Sequence, residues 1–456
     1  MDLAAQLATV LGDGDRVSVV DSDLEQHAHD LSHHPARRPD AVVYPESTAE
    51  VSALLAWANE RGVPLTPFGT GTSLEGHVIP VAGGISLDLT RLDRVLELRP
   101  EDLLAVVQPG VTRLRLNEAA REHGLWFPVD PGADASLGGM AATNASGTTT
   151  PRYGGMRAHV LALEVALADG SVLRPGSRAA KTSAGYDLRG LFVGSEGTLG
   201  VITELTLRLH GLPEQAVAVR AVFPSLDAAC RTATAIVGAG ATATRVELLD
   251  AGTMRAVNAY KGTAYTEAPS LFVELAGSEA GVEGDLAAVQ ELAAWEGCTE
   301  LEHAREPERR ARLWEARHHV LFAVQAGAPG KVHKSTDVCV PLSQLAAAVE
   351  HARALADELG LPATIVAHAG DGNYHVLFML DPDDAAERAA AEHLSAEIVD
   401  WALARGGTCT GEHGIGLGKL DALDREHGDL VPWYRALKEL LDPNGILNPG
   451  KVVRIL

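Results

Sequence analysis

The chain has 456 residues, of which 46% are hydrophobic and 22% are charged, and its formal net charge is −23. This length exceeds the size at which a single hydrophobic core usually stops growing, so two domains are expected. The acidic balance excludes nucleic acid or an anionic membrane as a main partner, because both select basic surfaces. An anionic substrate would therefore need a local positive pocket.

The cysteines and the N-terminal stretch bear on the compartment. Cys230, Cys298, Cys339 and Cys409 form no CxxC pair, which argues against a disulfide framework and a thiolate metal cluster. The opening "MDLAAQLATVLGDGDR" lacks the features of a signal peptide, and no apolar run reaches the ~18 residues of a spanning helix. We expect a cytoplasmic protein without a transmembrane segment, and peripheral contact with the inner face of the membrane stays open.

The first elements predict a β-α-β unit. A strand at Ala41–Tyr44 is followed by Ser47 and Glu50, which have the spacing of a helix capping box, and by apolar residues at helical spacing up to Gly62. A second strand, Val63–Thr66, leads into a glycine-rich loop at the strand end where open α/β sheets tend to place ligands.

The pattern changes around residues 211–216, where a new series of strands and helices begins. The sequence therefore predicts one domain over residues 1–213 and a second over 214–456. Strands such as "ATRVELLD" and "YHVLFML" alternate there with longer helices, which is typical of an α+β domain. About thirty residues from "LWFPVDPG" onward are rich in small residues, and we expect an ordered wrap rather than a disordered loop.

Three glycine-rich segments of the first half are predicted to bind one ligand together. The first, "PFGTGTSLEG", offers backbone N–H groups and hydroxyls of the kind that cradle diphosphates. Taken alone it is better explained as a surface turn, because it is neither GxGxxG nor a P-loop. The second, "DPGADASLGGMAATNASG", leaves room for a long narrow ligand, and the third, "KTSAGYDLRGLFVGSEGTLGVIT", adds glycines ahead of a strand.

The segment "HAGDGNYH" carries a histidine on each side of a turn. The turn would let His368 and His375 reach one point from adjacent strands, although a hairpin with two surface histidines is the more common explanation of the isolated motif. In "GTCTGEHGIGLGK", glycines favour an irregular loop in which Glu412 and His413 can both face inward. Two imidazoles and a carboxylate suit Zn²⁺ or a similar divalent ion, and His413 would then be available as a base.

In this order the three glycine-rich segments resemble the FAD-binding domain of the vanillyl-alcohol oxidase and PCMH-type family. The resemblance implies that the first loop holds the FAD pyrophosphate and that the second runs along the cofactor. Thr72 occupies the slot of a flavin-linking histidine in some relatives, so the FAD is expected to be non-covalent. The residues assigned to FAD are Pro67, Gly69, Thr70, Gly71, Thr72, Ser73, Pro131, Gly132, Ser136, Gly138, Gly139, Asn144, Ser146, Gly147, Glu196, Gly200, Ile202 and Asn448.

The second half resembles the FAD-linked oxidase C-terminal domain of D-2-hydroxyacid dehydrogenases, most closely the cytochrome-linked D-lactate dehydrogenases. The resemblance implies an α+β fold: a PCMH-type two-subdomain FAD-binding domain, then a substrate (cap) domain with an antiparallel sheet and helices. It also implies that the last ~15 residues return to the flavin. It assigns roles to these residues: His368, His375 and Glu412 as metal ligands, His413 as the base, Arg317 as the clamp of the substrate carboxylate, and Asn373 and Lys334 as further catalytic residues. Lys331 is an alternative to Lys334.

The expected reaction is oxidation of a D-2-hydroxy acid, specifically of D-lactate to pyruvate. A divalent ion, Zn²⁺ or Mn²⁺, would lower the hydroxyl pKa, His413 would take the proton, and hydride would pass from C2 to flavin N5. The electrons would go to a cytochrome, a quinone or an electron-transfer flavoprotein. Alternatives are D-2-hydroxyglutarate or glycolate as the substrate, a metallohydrolase, and a non-catalytic flavin-binding subunit.

Overall fold

A computed structural model describes residues 2–454 and divides the chain into two units. The first unit comprises Met1–Ser146, Gly154–Leu212 and Glu412–Leu456, and the second comprises Gly147–Tyr153 and Pro213–Gly411. The boundary between the two units at Leu212 and Pro213 lies one residue before the domain boundary expected after residue 213. The structure returns the chain to the first unit from Glu412 onward, which is earlier than the sequence suggested.

The first unit contains short strands and mostly short helices. Its strands are β1 (Val17–Ser18), β2 (Ala41–Val43), β3 (Leu65–Phe68), β4 (Ile85–Asp88), β5 (Val95–Arg99), β6 (Leu104–Val107), β7 (Leu125–Trp126), β8 (Val160–Ala166), β9 (Val172–Leu173), β10 (Val201–Arg208) and β11 (His210–Gly211). Its helices are α1 (Leu3–Leu11), α2 (Asp21–Gln26), α3 (Thr48–Arg61), α4 (Arg113–Arg121), α5 (Leu137–Thr143), α7 (Met156–His159), α8 (Leu188–Phe192), α16 (Leu420–His427) and α17 (Val431–Leu441). Gly14–Arg16 and Pro100–Asp102 are 3₁₀ turns.

Two larger sheets organise this unit. One has the order β1-β2-β4-β3, with β2, β4 and β3 parallel, and the other is antiparallel with the order β5-β6-β10-β8-β9. Two buried apolar clusters accompany these sheets, as expected of a PCMH-type FAD-binding domain with two subdomains, and Ala166 and Val201 of the antiparallel sheet belong to the cluster of the parallel sheet. Strands β7 and β11 form a separate antiparallel two-stranded sheet.

Helix α3 shows how local signals fix an element. The Ser47 hydroxyl accepts a hydrogen bond from the Glu50 amide, and Gly62 ends the helix in the left-handed conformation. The Glu50 carboxylate accepts from the Glu46 amide at 2.7 Å, one residue before the N-cap. The apolar residues of α3 bury one face against the parallel sheet, so the predicted capping and periodicity both correspond to the observed helix.

The wrap between residues 125 and 159 is ordered and holds short helices that the sequence did not indicate. Ser136 caps α5 by accepting a hydrogen bond from the Gly139 amide at 3.3 Å, and Asn144 ends the helix with a left-handed φ of 52°. Runs of Gly, Ala, Ser and Thr give little amphipathic period, because such small residues separate buried from exposed positions poorly.

The second unit is built on one large sheet. Its strands are β12 (Gln215–Val222), β13 (Ala243–Leu249), β14 (Ser270–Gly277), β15 (Glu300–Ala304), β16 (Val332–Ser335), β17 (Val338–Cys339), β18 (Ala363–His368) and β19 (Asn373–Leu380). Its helices are α6 (Thr150–Tyr153), α9 (Leu226–Gly238), α10 (Ala251–Lys261), α11 (Glu279–Trp295), α12 (Pro307–His318), α13 (Val320–Ala326), α14 (Leu345–Glu358) and α15 (Ala385–Leu403). Leu342–Gln344 is a 3₁₀ turn.

This sheet is antiparallel with the order β15-β12-β14-β13-β18-β19-β16, and β17 also pairs with β19. One face packs against α9, α11, α14 and α15 around the larger apolar cluster. The other face packs against α10, α12 and α13 around a smaller cluster that includes Val366, Leu377 and Met379. The second face, here called the site face, carries the polar residues described next.

Candidate active site

The two histidines of "HAGDGNYH" lie on the site face of the second unit. β18 ends at His368, β19 begins at Asn373, and these two residues are directly opposite each other in the antiparallel register. His375 lies two residues further along β19 and therefore points to the same face. The imidazole centroids are 5.5 Å apart and the rings are perpendicular. Both rings are buried, which is not the arrangement of a hairpin with surface histidines.

Both imidazoles are oriented through their Nδ1 atoms. Nδ1 of His375 lies 3.0 Å from the backbone oxygen of Thr336, an acceptor, so this nitrogen carries the proton. Nδ1 of His368 lies 2.8 Å from Oε1 of Glu247. In the neutral tautomer with Nδ1 protonated, the lone pair is on Nε2, and this is the usual arrangement of a metal-binding histidine.

Glu247 also binds the predicted carboxylate clamp. Its side chain is fully buried, and its Oε2 accepts a hydrogen bond from Nε of Arg317 at 2.6 Å. Burial alone would raise the pKa of Glu247, but His368 and Arg317 outweigh burial and hold that pKa below its usual value. Within residues 2–454, no protein acceptor bonds to either Nη atom of Arg317, so this edge of the guanidinium can receive a carboxylate.

Asn373 has one unused polar atom. Its Nδ2 donates to Oδ1 of Asp337 at 2.8 Å and to the backbone oxygen of Val338 at 2.9 Å. Its Oδ1 is buried and has no hydrogen-bond partner among the described residues. A buried acceptor without a hydrogen bond costs folding free energy, so this oxygen is a suitable contact for a ligand that donates a hydrogen bond.

Asp337 joins this strand to the chain before Glu412. Its Oδ2 accepts from the Thr410 hydroxyl at 2.7 Å and from the Gly411 amide at 3.1 Å. A side chain at Gly411 would overlap the Asn373 amide, so only glycine fits there. The second unit therefore fixes the backbone up to the residue that precedes Glu412.

The two candidate lysines differ in position. Lys331 donates to both carboxylate oxygens of Glu387, at 2.7 and 2.9 Å. Lys334 lies opposite Phe378 in the register of β16 and β19, and Phe378 belongs to the cluster on the face away from His375. Directly opposite residues share a face, so the register counts against a role for Lys334 beside His375, whereas His333 lies on the site face.

In the first unit, the first two glycine-rich segments lie against each other. A Cβ added at Gly69 would approach Oγ of Ser136 to 2.5 Å, and one added at Gly138 would overlap Pro109. Gly71 has a φ of 67°, which favours glycine, while Thr70 and Gly139 are exposed. This is a backbone cradle open to a ligand, and it fits a diphosphate-containing cofactor.

The third segment closes onto the same part of the first unit. The amides of Gly194 and Glu196 donate to the backbone oxygens of Ala141 and Ala142 at 2.9 and 2.8 Å, at the end of α5. Gly200 allows a close approach to Val165, and Ile202 is buried in the core of the antiparallel sheet. The Asn448 amide donates to the backbone oxygens of His77 and Glu196.

The remaining FAD candidates are spread along these loops. Oγ1 of Thr70 and Oγ1 of Thr72 are 3.2 Å apart, and the Asn144 side chain accepts a hydrogen bond from the Arg157 amide. The candidates that are partly or fully exposed are Pro67, Gly69, Thr70, Gly71, Thr72, Ser73, Pro131, Gly132, Gly139, Asn144 and Ser146. The buried candidates are Ser136, Gly138, Gly147, Glu196, Gly200, Ile202 and Asn448. Pro67 packs beside Gly197, and Gly147 belongs to the second unit.

Glu412 and His413 open the last segment of the first unit. Oε2 of Glu412 accepts a hydrogen bond from the Ser146 hydroxyl at 3.2 Å, and Nδ1 of His413 lies 3.7 Å from Oε1 of Glu75. The amides of Ile415 and Gly416 donate to the Glu196 carboxylate at 2.7 and 2.8 Å. The buried Glu196 carboxylate therefore holds the glycine-rich loop just after His413, and the buried Glu75 carboxylate lies near the His413 ring.

Three of these carboxylates were not predicted from the sequence as functional residues. Glu247, Asp337 and Glu75 are each buried and each lie beside a residue with a predicted role. A Glu inside the apolar strand "ATRVELLD" was the one available signal for Glu247, since an ionisable residue rarely occupies a fully buried position without a partner.

Two domain families match the chain in series. The FAD binding domain matches residues 39–176, and the FAD linked oxidases, C-terminal domain, matches residues 212–452.

Among the described residues, no helix combines the length and the apolar character needed to cross a bilayer.

Several curated proteins are similar over most of this chain. "Probable D-lactate dehydrogenase, mitochondrial" of Danio rerio is 45% identical over 99% of this chain and 92% of its own length. "D-lactate dehydrogenase [cytochrome], mitochondrial" of Arabidopsis thaliana is 43% identical, covering 99% of this chain and 80% of its own length. Glycolate oxidase subunit GlcD of Bacillus subtilis is 35% identical over 93% of this chain and 91% of its own length.

A solved structure agrees on the fold. That of 4-ethylphenol oxidase from Gulosibacter chungangensis matches with a TM-score of 0.80 at 21% identity, covering 99% of this chain and 96% of the other. The PCMH-type FAD-binding domain followed by an α+β C-terminal domain, predicted from the sequence, is confirmed.

Proposed function

Because the chain belongs to the family of FAD-linked oxidases, we propose that it oxidises D-lactate to pyruvate through FAD and a divalent metal ion. The observation that carries this proposal is the site face of the second unit. Two buried imidazoles with Nδ1 held by acceptors, an orphaned amide oxygen and a guanidinium edge share that face. A 2-hydroxy acid offers a hydroxyl and a carboxylate to such a set.

The first unit would hold FAD along its three glycine-rich segments. The partly exposed Gly69 and Gly71 and the exposed Gly139 support a diphosphate there, because their backbone N–H groups are not covered by side chains of their own. Thr72 has no nucleophilic ring nitrogen, which supports a dissociable cofactor. When bound, FAD supplies the two-electron acceptor for the substrate carbon.

His368 and His375 would bind Zn²⁺ or Mn²⁺ through Nε2, with Glu412 as the third ligand. Glu412 is bonded to Gly411, whose amide is held by Asp337, so its Cα lies about 3.8 Å from the Cα of a residue anchored in the second unit. Three protein ligands leave a position open for an outside oxygen, as catalytic sites require. A bound divalent ion supplies a lower pKa for the substrate hydroxyl.

Arg317 would hold the substrate carboxylate through its two Nη atoms, and Oδ1 of Asn373 would accept the hydrogen bond of the hydroxyl until its proton passes to His413. His413 would remove the hydroxyl proton. Glu75, near Nδ1 of His413, supports the orientation of that ring as a base.

The lysines support a small monocarboxylate over D-2-hydroxyglutarate. A second carboxylate would need another cation beside Arg317, but Lys331 is paired with Glu387 and the register turns Lys334 to the other face. Glycolate is the second candidate, because a relative is named as a glycolate oxidase subunit. A cytochrome is the proposed electron acceptor, since three relatives carry that word in their names, and a quinone or an electron-transfer flavoprotein are the alternatives.

The test is anaerobic reduction of the flavin in the purified protein. D-Lactate should bleach the flavin absorbance, L-lactate should not, and glycolate and D-2-hydroxyglutarate should bleach it more slowly. Mixing the reduced protein with cytochrome c, a soluble quinone or an electron-transfer flavoprotein then identifies the acceptor by the rate at which the yellow colour returns. A colourless protein, or a flavin that no 2-hydroxy acid reduces, would refute the proposal and favour a metallohydrolase or a non-catalytic flavin-binding subunit.

A further inference from the structure

One buried carboxylate on the site face has two partners with different proposed roles. Glu247 accepts from Nδ1 of His368 on Oε1 at 2.8 Å and from Nε of Arg317 on Oε2 at 2.6 Å. Its side chain has no solvent exposure. Each carboxylate oxygen therefore faces one of the two groups.

The placement of Glu247 is set by the sheet. It lies opposite His368 in the pairing of β13 with β18, so both side chains are on the site face. Leu249 and Val366, the next pair on that face, are apolar and belong to its core cluster. A carboxylate among such residues loses its hydration and is tolerated only when both oxygens are satisfied, which His368 and Arg317 achieve.

We propose that Glu247 is a positioning residue that holds the metal-binding imidazole and the substrate-binding guanidinium with one carboxylate. By accepting from Nδ1 of His368, it fixes the tautomer whose Nε2 can bind the metal ion. By accepting from Nε of Arg317, it turns the two Nη atoms toward the substrate carboxylate. The inference rests on the proposed function and adds that metal binding and substrate binding depend on the same residue.

The variant Glu247→Gln separates this role from simple space filling. Glutamine has nearly the same shape but only one acceptor oxygen, and its amide N–H groups would face a donor at the other position. His368 and Arg317 both donate, so one of them must lose its acceptor and can rotate. We expect about a 10- to 100-fold rise in the Zn²⁺ dissociation constant, the usual effect of losing a carboxylate behind a histidine ligand. The KM for D-lactate should also rise severalfold.

Glu274→Gln is the matched control. Glu274 lies in the same sheet on β14 and pairs with Arg245 at 3.3 Å, but it has no histidine partner. It tests the loss of a carboxylate and an arginine contact without any contact to His368. Its Zn²⁺ affinity and its KM should stay within about twofold of the wild-type values, as expected for a partly exposed pair.

The measurement uses the FAD-loaded protein stripped of metal and titrated with Zn²⁺ against a chromophoric chelator, followed by steady-state KM and kcat for D-lactate with the metal restored. FAD content and the unfolding midpoint are checked first. If Glu247→Gln does not fold, Glu247→Asp replaces it, because this change keeps the charge and withdraws both oxygens by one methylene. Weaker Zn²⁺ binding together with a raised KM supports the inference.

Wild-type values of both constants in a folded Glu247 variant would overturn it, as would losses equal to those of Glu274→Gln. A change in the Zn²⁺ constant alone, or in KM alone, would also overturn the shared role. The wild-type protein distinguishes this failure from failure of the proposed function. If wild type binds neither Zn²⁺ nor D-lactate, the proposed function fails. If it binds both and the variants match it, only the role of Glu247 fails.

Discussion

The side-chain amide of Asn373 donates a hydrogen bond to Oδ1 of Asp337 at 2.8 Å, and both residues are buried. The other oxygen of Asp337 holds Thr410 and Gly411, so one carboxylate connects the strand that carries His375 with the chain that leads to Glu412. Asp337 therefore has a structural role, because it holds these two parts of the second unit together.

Replacing Asp337 by Asn should destabilise the protein. In the variant, the N–H group of the new asparagine would face a donor that hydrogen-bonds to a carboxylate oxygen in the wild-type protein. Hydrogen bonds to buried charged groups are worth about 1.5–3 kcal/mol each. We expect the free energy of unfolding to fall by about 2–4 kcal/mol in urea denaturation followed by circular dichroism. Asp421→Asn, at an exposed carboxylate paired with Arg454, is the control and should change it by less than about 0.5 kcal/mol. Equal changes in the free energy of unfolding in the two variants would contradict this structural role of Asp337.

Arg317→Lys should raise KM for D-lactate about 10- to 100-fold, because a lysine cannot give the two-pronged hold and loses one or two charge-assisted hydrogen bonds. The value of kcat should change less, since the carboxylate is held equally before and during reaction. Arg309→Lys, on the exposed side of the same helix α12, should leave both constants unchanged. An unchanged KM in Arg317→Lys would contradict the proposal that Arg317 binds the substrate carboxylate.

His413→Gln should lower kcat for D-lactate by about 10²- to 10⁴-fold, the usual contribution of a positioned base. FAD content should stay normal, because the Glu196 carboxylate still binds the loop amides of Ile415 and Gly416. The comparison variant is His303→Gln on the exposed strand β15, which should behave as wild type. Retention of most of the activity in His413→Gln would assign the base to another group.

The His77–Glu196 pair predicts a pH dependence of stability. Burial by itself lowers the pKa of His77, but the Glu196 carboxylate, whose Oε2 lies 3.3 Å from Nε2, outweighs burial and raises that pKa. The folded state then binds more protons than the unfolded state, whose histidine pKa is about 6.5. This stabilisation is complete below that pH and is lost as pH rises through the folded pKa.

Urea unfolding at a series of pH values from 5.5 upward should show this loss in wild type and not in His77→Gln. The exposed His29→Gln variant should keep the wild-type slope. A slope that survives in His77→Gln would place the linked proton elsewhere.

The sequence predicted well those elements whose signals are local. The capping residues and apolar period of α3 lie within fifteen residues of one another, and the turn between His368 and His375 is encoded by its own Gly, Asp and Asn residues. The long family motifs placed both domains for the same reason, since each is a contiguous stretch.

The sequence could not predict contacts that depend on the assembled sheet. Glu247 is 121 positions from His368 and 70 positions from Arg317, so no spacing rule joins them. The face on which Lys334 lies depends on the pairing of β16 with β19, and a shift of one residue would reverse it. Helix α5 was missed because its small residues give a weak amphipathic period, and α7 was missed because four residues are too few to show a period.

The most direct test of the central claim is the anaerobic rate of flavin reduction by D-lactate, measured by rapid mixing with and without bound metal. The protein is stripped with a chelator, checked for full FAD content, and reloaded with Zn²⁺ or Mn²⁺ in parallel. We predict that the stripped protein reduces its flavin at least about 100-fold more slowly and that reloading restores the rate, because the ion stabilises the developing negative charge by several kcal/mol. Equal rates in the stripped and reloaded protein would contradict the account.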